Sequence, residues 1–178
     1  MGRAEPPLIH FVTGNLRKFA EAEAILRNVA RLRRHVIEVP EIQGSLEEIA
    51  REKWRNAAAT MKGPVLTEDS ALEFRALNGL PGPYIKEFYS ALGNDGLCQL
   101  LAAFKDKSAS AVFTYAFSSG PGVEPVLFQG RVDGQIVTPR GTNGFAFDPI
   151  FEVQGKHTER WMLKQRHVKL AANMPVIY

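Results

Sequence analysis

The sequence predicts an α/β fold. Apolar, strand-like runs alternate with amphipathic helical segments through the first 70 residues. A capping-box pair, Ser45 and Glu48, opens the second of those helices, and two runs rich in β-branched and aromatic residues follow in the second half. In order, Leu8-Ile9-His10-Phe11-Val12 reads as a buried strand. Thr13-Gly14-Asn15 turns the chain into a helix whose apolar positions Leu16, Phe19, Ile25, Leu26, Val29 and Leu32 recur at helical spacing. Residues 35–39 read as a second strand. Beyond Pro40-Glu41-Ile42-Gln43-Gly44, the capped helix carries Leu46, Ile49, Trp54, Ala57 and Ala58 inward. A short strand, Pro64-Val65-Leu66-Thr67, follows. Residues 84–92 and 96–104 read as two helices parted by the turn Gly93-Asn94-Asp95-Gly96, and residues 111–117 and 126–132 read as strands.

Composition sets the class. With 178 residues and 45% hydrophobic content, the chain can bury one core, so residues 1–178 are read as a single domain. The single cysteine, Cys98, lies in an apolar helical stretch, rules out an intrachain disulfide, and reads as packing rather than as a nucleophile. No run of about 18 apolar residues is long enough to span a bilayer. The first residues lack the apolar stretch of a signal peptide, so the expectation is a cytoplasmic protein. The net charge is +3, of which residues 156–178 carry +4 and the remainder −1. A body of that charge is not a nucleic-acid binder, and the basic 156–178 segment reads as a solvated tail, with contact to phosphates as the other reading.

Chemistry concentrates in four places. Glu68 and Asp69 follow the 64–67 run, so they are expected where a buried strand runs out into solvent, the usual ligand edge of an open α/β sheet. Two carboxylates there suit Mg²⁺, which prefers one or two carboxylates completed by water and phosphate oxygens; the competing account is a solvated acidic turn. Thr13-Gly14-Asn15, at a strand-to-helix junction with Lys18 one turn on, resembles a phosphate cradle, although it lacks the glycines of a dinucleotide fingerprint and the end of a Walker loop. An ordinary capped helix start competes with that account. Lys53 shares the inner side of its helix with Ile49 and Ala57, where it either snorkels or reaches the same anion as Lys18. Phe145-Ala146-Phe147-Asp148-Pro149, after Gly141-Thr142-Asn143-Gly144, offers aromatic faces to stack on a base and a carboxylate for a base edge. A core strand ending in a turn is the other reading.

Taken together, Phe11-Val12-Thr13-Gly14-Asn15 with Lys18, Pro40-Glu41-Ile42-Gln43-Gly44, Gly63-Pro64-Val65-Leu66 leading to Glu68-Asp69, and Gly79-Leu80-Pro81-Gly82-Pro83-Tyr84-Ile85-Lys86 resemble the inosine triphosphate pyrophosphatase family, eukaryotic branch. The likeness runs over residues 8–155. It implies a central mixed sheet flanked by helices in an elongated, two-lobed single domain, and cleavage of non-standard purine triphosphates (ITP, dITP, XTP) to monophosphate and pyrophosphate. It further implies triphosphate contacts from Thr13, Gly14, Asn15, Lys18, Lys53, Ser70 and Lys86, and Mg²⁺, with Mn²⁺ as the alternative, on Glu41 and Asp69. Asp69, Glu68 and Lys53 would be catalytic, the roles of Glu68 and Asp69 in orienting water being left undivided. Phe145, Phe147 and Asp148 would form a base pocket for a 6-keto purine. The resemblance also implies a homodimer without nucleic-acid or membrane partners.

Two departures stand out. The family's Ser-His-Arg run is missing, the chain reading Arg160-Trp161-Met162-Leu163-Lys164-Gln165-Arg166-His167 instead, and Ala146 replaces the glycine usual between the aromatics. The missing run raises an alternative: a catalytically impaired nucleotide-binding or dimerising protein.

Overall fold

A computed structural model describes residues 5–141 and 144–153; the basic 156–178 segment and Thr142-Asn143 lie outside them. The architecture is mixed α/β. A seven-stranded sheet has the order β2-β1-β3-β5-β6-β7, with β4 pairing β3 off that path. Its strands are β1 (Leu8–Val12), β2 (Arg31–His35), β3 (Val65–Phe74), β4 (Pro81–Gly82), β5 (Ser108–Ser118), β6 (Val126–Ile136) and β7 (Phe151–Glu152), and the helices are α1 (Leu16–Leu26), α2 (Leu46–Thr60) and α3 (Ile85–Leu100). β1 runs parallel to both β2 and β3, whereas β3–β4 and β6–β7 are antiparallel, so the sheet is mixed.

The described residues divide into two compact units, residues 5–69 with Thr114–Gln129, and Ser70–Phe113 with residues 130–141 and 144–153. In the first, the chain leaves β1 for β2 on one side and returns past β1 to β3 on the other. Right-handed crossovers in opposite directions put α1 and α2 on opposite faces of the sheet. Packing agrees. The Phe11 ring stacks on Phe19 of α1 with centroids 6.3 Å apart, while Val12, its neighbour of opposite facing, clusters with Val65 and with Trp54 and Ala57 of α2. The capping box of α2 is complete: Ser45 accepts the Glu48 N–H, and the Glu48 carboxylate takes the Ser45 N–H at 2.7 Å. Trp54 also donates to Ser118 Oγ at 3.2 Å, tying α2 to the end of β5.

Several boundaries differ from expectation. The first helix stops at Leu26 rather than running on to Leu32, and the second strand occupies Arg31–His35 instead of residues 35–39. Periodicity misled here, because Leu16 and Val29 are exposed and the stripe that packs is Ala22 and Leu26. The strand chosen is the one that can register residue for residue on β1, from Leu8↔Arg31 to Val12↔His35. Its basic side chains suit a sheet edge. β3 does not end at Thr67 but continues to Phe74, since Ala71, Leu72 and Phe74 supply further apolar burial. The two helices expected around the 93–96 turn are both present within α3, where the backbone breaks at Gly93 (φ 63°, ψ −174°), and the second ends at Leu100 rather than at Phe104. Both later strands are longer than expected.

Candidate active site

β1 and β3 are adjacent, and the chain leaves them on opposite sides. Open α/β sheets bind ligands at such a switch point, off the carboxyl ends of the strands. β1 ends at Val12, which pairs with Thr67, so from Glu68 onward β3 extends beyond its neighbour. Glu68 and Asp69 therefore sit at the end of β1 but inside β3. Glu68 is only 3% exposed, which corrects both the expected strand end and the solvated acidic turn.

Successive residues of a strand face opposite sides, so the two carboxylates do not form a side-by-side pair. Each is met by a lysine from the helix on its own face. Lys18 Nζ of α1 lies 2.5 Å from Glu68 Oε2, and Lys53 Nζ of α2 lies 2.6 Å from Asp69 Oδ1 and also donates to the Glu68 carbonyl at 2.9 Å. The Glu68 contact is a charge pairing without hydrogen-bond alignment. Lys53 thus neither snorkels into water nor idles against the core. Glu68 can be buried and Asp69 half-buried because the lysines are there. A single ionised carboxylate at such a position would be driven to protonate or out into solvent.

The environments of the acids differ. Burial pushes the Asp69 carboxyl above its ordinary range, Lys53 pulls it back down, and the Glu68 charge adds a smaller upward push. Asp69 Oδ2 is buried with no hydrogen-bond partner among the described residues. Such an oxygen fits a carboxylate ligand of a hard divalent cation, which needs only one or two carboxylates beside water and phosphate oxygens. Glu41 lies on the exposed connection before α2, and among the described residues no three His, Cys, Asp or Glu side chains gather into a metal cluster.

The Thr13-Gly14-Asn15 loop follows β1 directly. Asn15 caps α1, its Oδ1 accepting from the Arg17 and Lys18 N–H groups, and Thr13 Oγ1 accepts from the Asn15 N–H. The cap uses two donors that a bare phosphate cradle would have offered. Gly14 is exposed, and a Cβ on it would meet no atom of the described residues within 4 Å, so no packing among them calls for a glycine and the loop is left open to an external group.

Two contributors went unread in the sequence. The end of β2 holds Thr13 by both backbone groups: the His35 carbonyl accepts the Thr13 N–H at 2.9 Å, and Arg34 Nη1 reaches the Thr13 carbonyl at 3.5 Å. His35 Nε2 lies 2.9 Å from His10 Nδ1 across the β1–β2 pair. Burial, then the facing His10, then Arg33 lower the His35 pKa, which favours the neutral ring that this contact requires. A misplaced second strand hid these contacts, because only the observed register sets His35 opposite Val12.

The remaining expected residues belong to the second unit. Lys86 sits in the first turn of α3 with an exposed side chain, 3.9 Å from Glu87 Oε1, and Ser70 follows Asp69 in β3. Residues 145–148 form a turn rather than a core strand. Phe145 is 38% exposed, Phe147 is buried, and Asp148 Oδ2 accepts the Phe145 N–H at 3.2 Å. Ala146, at the family's glycine position, has φ 51°, a left-handed conformation.

Fold and site define an α/β protein with a strand-to-helix loop at the end of β1 and lysine-paired acids on the neighbouring strand at a sheet switch point. The chain belongs to the Ham1 family, whose pattern matches residues 9–169 and so reaches beyond Gly155. It is 59% identical over 147 residues to a protein of Ajellomyces capsulatus named inosine triphosphate pyrophosphatase, covering 83% of this chain and 80% of that protein. A protein of the same name from Emericella nidulans is 55% identical over 163 residues, covering 92% and 88%. The structure of a nucleoside-triphosphatase, dITP/XTP pyrophosphatase, from Mycobacterium abscessus superposes with a TM-score of 0.75 at 28% identity, covering 94% of this chain and 99% of that one.

The buried Lys18–Glu68 pairing makes a stability prediction. Lys18→Met should destabilise the fold by about 3 kcal/mol, because it strands an ionised Glu68, whereas Lys18→Met with Glu68→Gln should recover most of that loss. Denaturant unfolding of the two single variants and the double variant checks it.

Proposed function

We propose that this protein hydrolyses non-canonical purine nucleoside triphosphates, ITP, dITP and XTP, to the monophosphate and pyrophosphate, and so cleanses the nucleotide pool. The observation that carries the proposal is the pair of lysines held by one buried and one half-buried carboxylate, next to the exposed Gly14 of the Thr13-Gly14-Asn15 loop. The names of the curated relatives support the same reaction.

Lys18 and Lys53 are cations stored on carboxylates until a polyanion arrives. A triphosphate competes for both ammonium groups, and their charge then stabilises the charge that develops on the departing pyrophosphate. Thr13, Gly14 and Asn15 position the phosphates, with Ser70 and Lys86 as further contacts. Of the two acids, Asp69 acts and Glu68 holds Lys18. Asp69 has the raised carboxyl pKa and an oxygen with no hydrogen-bond partner among the described residues, which suit orienting or deprotonating the attacking water, whereas Glu68 is buried against its lysine. Asp69 and Glu41 would hold a divalent cation, Mg²⁺ or Mn²⁺; when bound, it neutralises phosphate charge. Phe145, Phe147 and Asp148 contact the base, and a pocket whose polar groups suit a 6-keto edge leaves them unpaired against adenine. The protein works in the cytoplasm as a homodimer. No observation favours the catalytically impaired alternative.

Pyrophosphate release from ITP and XTP should exceed that from ATP and GTP and should require a divalent cation. Asp69→Asn should lower kcat by at least about a hundredfold, in the range for loss of an acid–base group; unchanged turnover would reject the assignment. Gly14→Ala should raise KM by about tenfold, about 1.4 kcal/mol of binding. Its Tm should stay unchanged, because the added Cβ meets no protein atom. A fall in Tm with unaltered KM would make Gly14 a purely structural glycine.

A further inference from the structure

The 93–96 segment, anticipated as a turn between two helices, breaks α3 at Gly93 and reaches across the chain. At Gly93 the backbone (φ 63°, ψ −174°) leaves the helical region inside α3, and the next residue, Asn94, donates from Nδ2 to the Ala146 carbonyl at 3.1 Å, 52 residues away. Ala146 is the left-handed residue of the 145–148 turn, at φ 51°. That conformation is unfavourable for any residue with a Cβ, so it persists only where the surroundings hold it. Within the turn, Asp148 N–H donates to the Phe145 carbonyl at 3.0 Å and the Phe145 N–H to Asp148 Oδ2 at 3.2 Å, which closes the loop on itself, while its place in the unit is set by ties to residues outside it. Asn94 supplies such a tie. Its Oδ1 is buried with no donor among the described residues, so this side chain spends desolvation on one hydrogen bond. A residue kept for stability alone would be better apolar.

We infer that Asn94 is a positioning residue for the turn that carries Phe145 and Asp148, and through it a determinant of base selectivity rather than of phosphate chemistry. The inference rests on the proposed function, in which that turn contacts the base. An exposed Phe145 face beside a carboxylate distinguishes purines only if ring and carboxylate are held in one relative placement, and the peptide between them is the one that Asn94 grips. Displacement of the turn would affect cognate and non-cognate bases unequally while leaving the triphosphate contacts of Lys18 and Lys53 in place.

Asn94→Asp tests this, since it keeps the shape and removes the donor, with Asn94→Ala as a second variant should the added charge unsettle α3. Amide hydrogen exchange of Phe145 and Asp148 should accelerate by about tenfold in either variant as the turn opens locally, with the amides of β3 unaffected. The ratio of kcat/KM for ITP over GTP should fall by about tenfold, as expected for a small misplacement of contacts. The inhibition constant of inorganic pyrophosphate should stay the same. Unchanged exchange at Phe145 and Asp148 would overturn the anchoring, and faster exchange with an unchanged ITP-to-GTP ratio would overturn the selectivity role. If the unaltered protein turns over no nucleotide, the functional proposal fails, and the exchange result alone then decides the anchoring.

Discussion

Two carboxylates inside a β-strand, each neutralised by a lysine from a different helix, are the constraint on which the rest of this structure depends. Glu68 and Asp69 are consecutive residues of β3, so they face opposite sides of the sheet, and Lys18 from α1 and Lys53 from α2 must come from opposite faces to meet them. The β2-β1-β3 order delivers that through two right-handed crossovers in opposite directions. The same topology ends β1 one residue short of the acids and puts the Thr13-Gly14-Asn15 loop at that end. Fold and chemistry are therefore linked at one point. Neutralisation lets the acids be buried, and burial of Asp69 is the largest influence on its carboxyl.

The arrangement accounts for the wait before substrate as well as for the reaction. Buried ion pairs contribute little net stability, because desolvation offsets most of their attraction, so they are better explained by what they hold ready. In the proposed function they hold two ammonium groups ready for phosphate oxygens, and among the described residues Asp69 Oδ2 has no hydrogen-bond partner.

Much of this was legible in the residues. The alternation of strand and helix, the Ser45–Glu48 capping box, and the grouping of Lys18, Lys53, Glu68 and Asp69 follow from local pattern and from motif order, both of which depend on short-range chemistry. Local patterns do not fix where a strand stops. β3 looked finished at Thr67 because Glu68 and Asp69 read as polar, and only the two lysines, 50 and 16 residues earlier, make them burial-compatible. The basic Arg31–His35 strand was likewise unreadable, since its register on β1, not its composition, makes it a strand. With it were lost Arg34 and His35, which grip Thr13. Asn94 was visible as a turn residue, but its partner at Ala146 is a tertiary contact without a sequence signal.

The most direct test is the ionisation of Asp69, followed by carboxyl carbon NMR across pH in the ligand-free and metal-free protein and in Lys53→Met. A raised carboxyl pKa means that the folded chain takes up this proton before the unfolded chain does. Asp69 therefore favours folding at low pH, and that contribution is lost as pH rises through its folded midpoint. The account predicts a midpoint above the ordinary aspartate range, moved higher still when Lys53 is removed. An ordinary or depressed midpoint, or one indifferent to Lys53→Met, would contradict it.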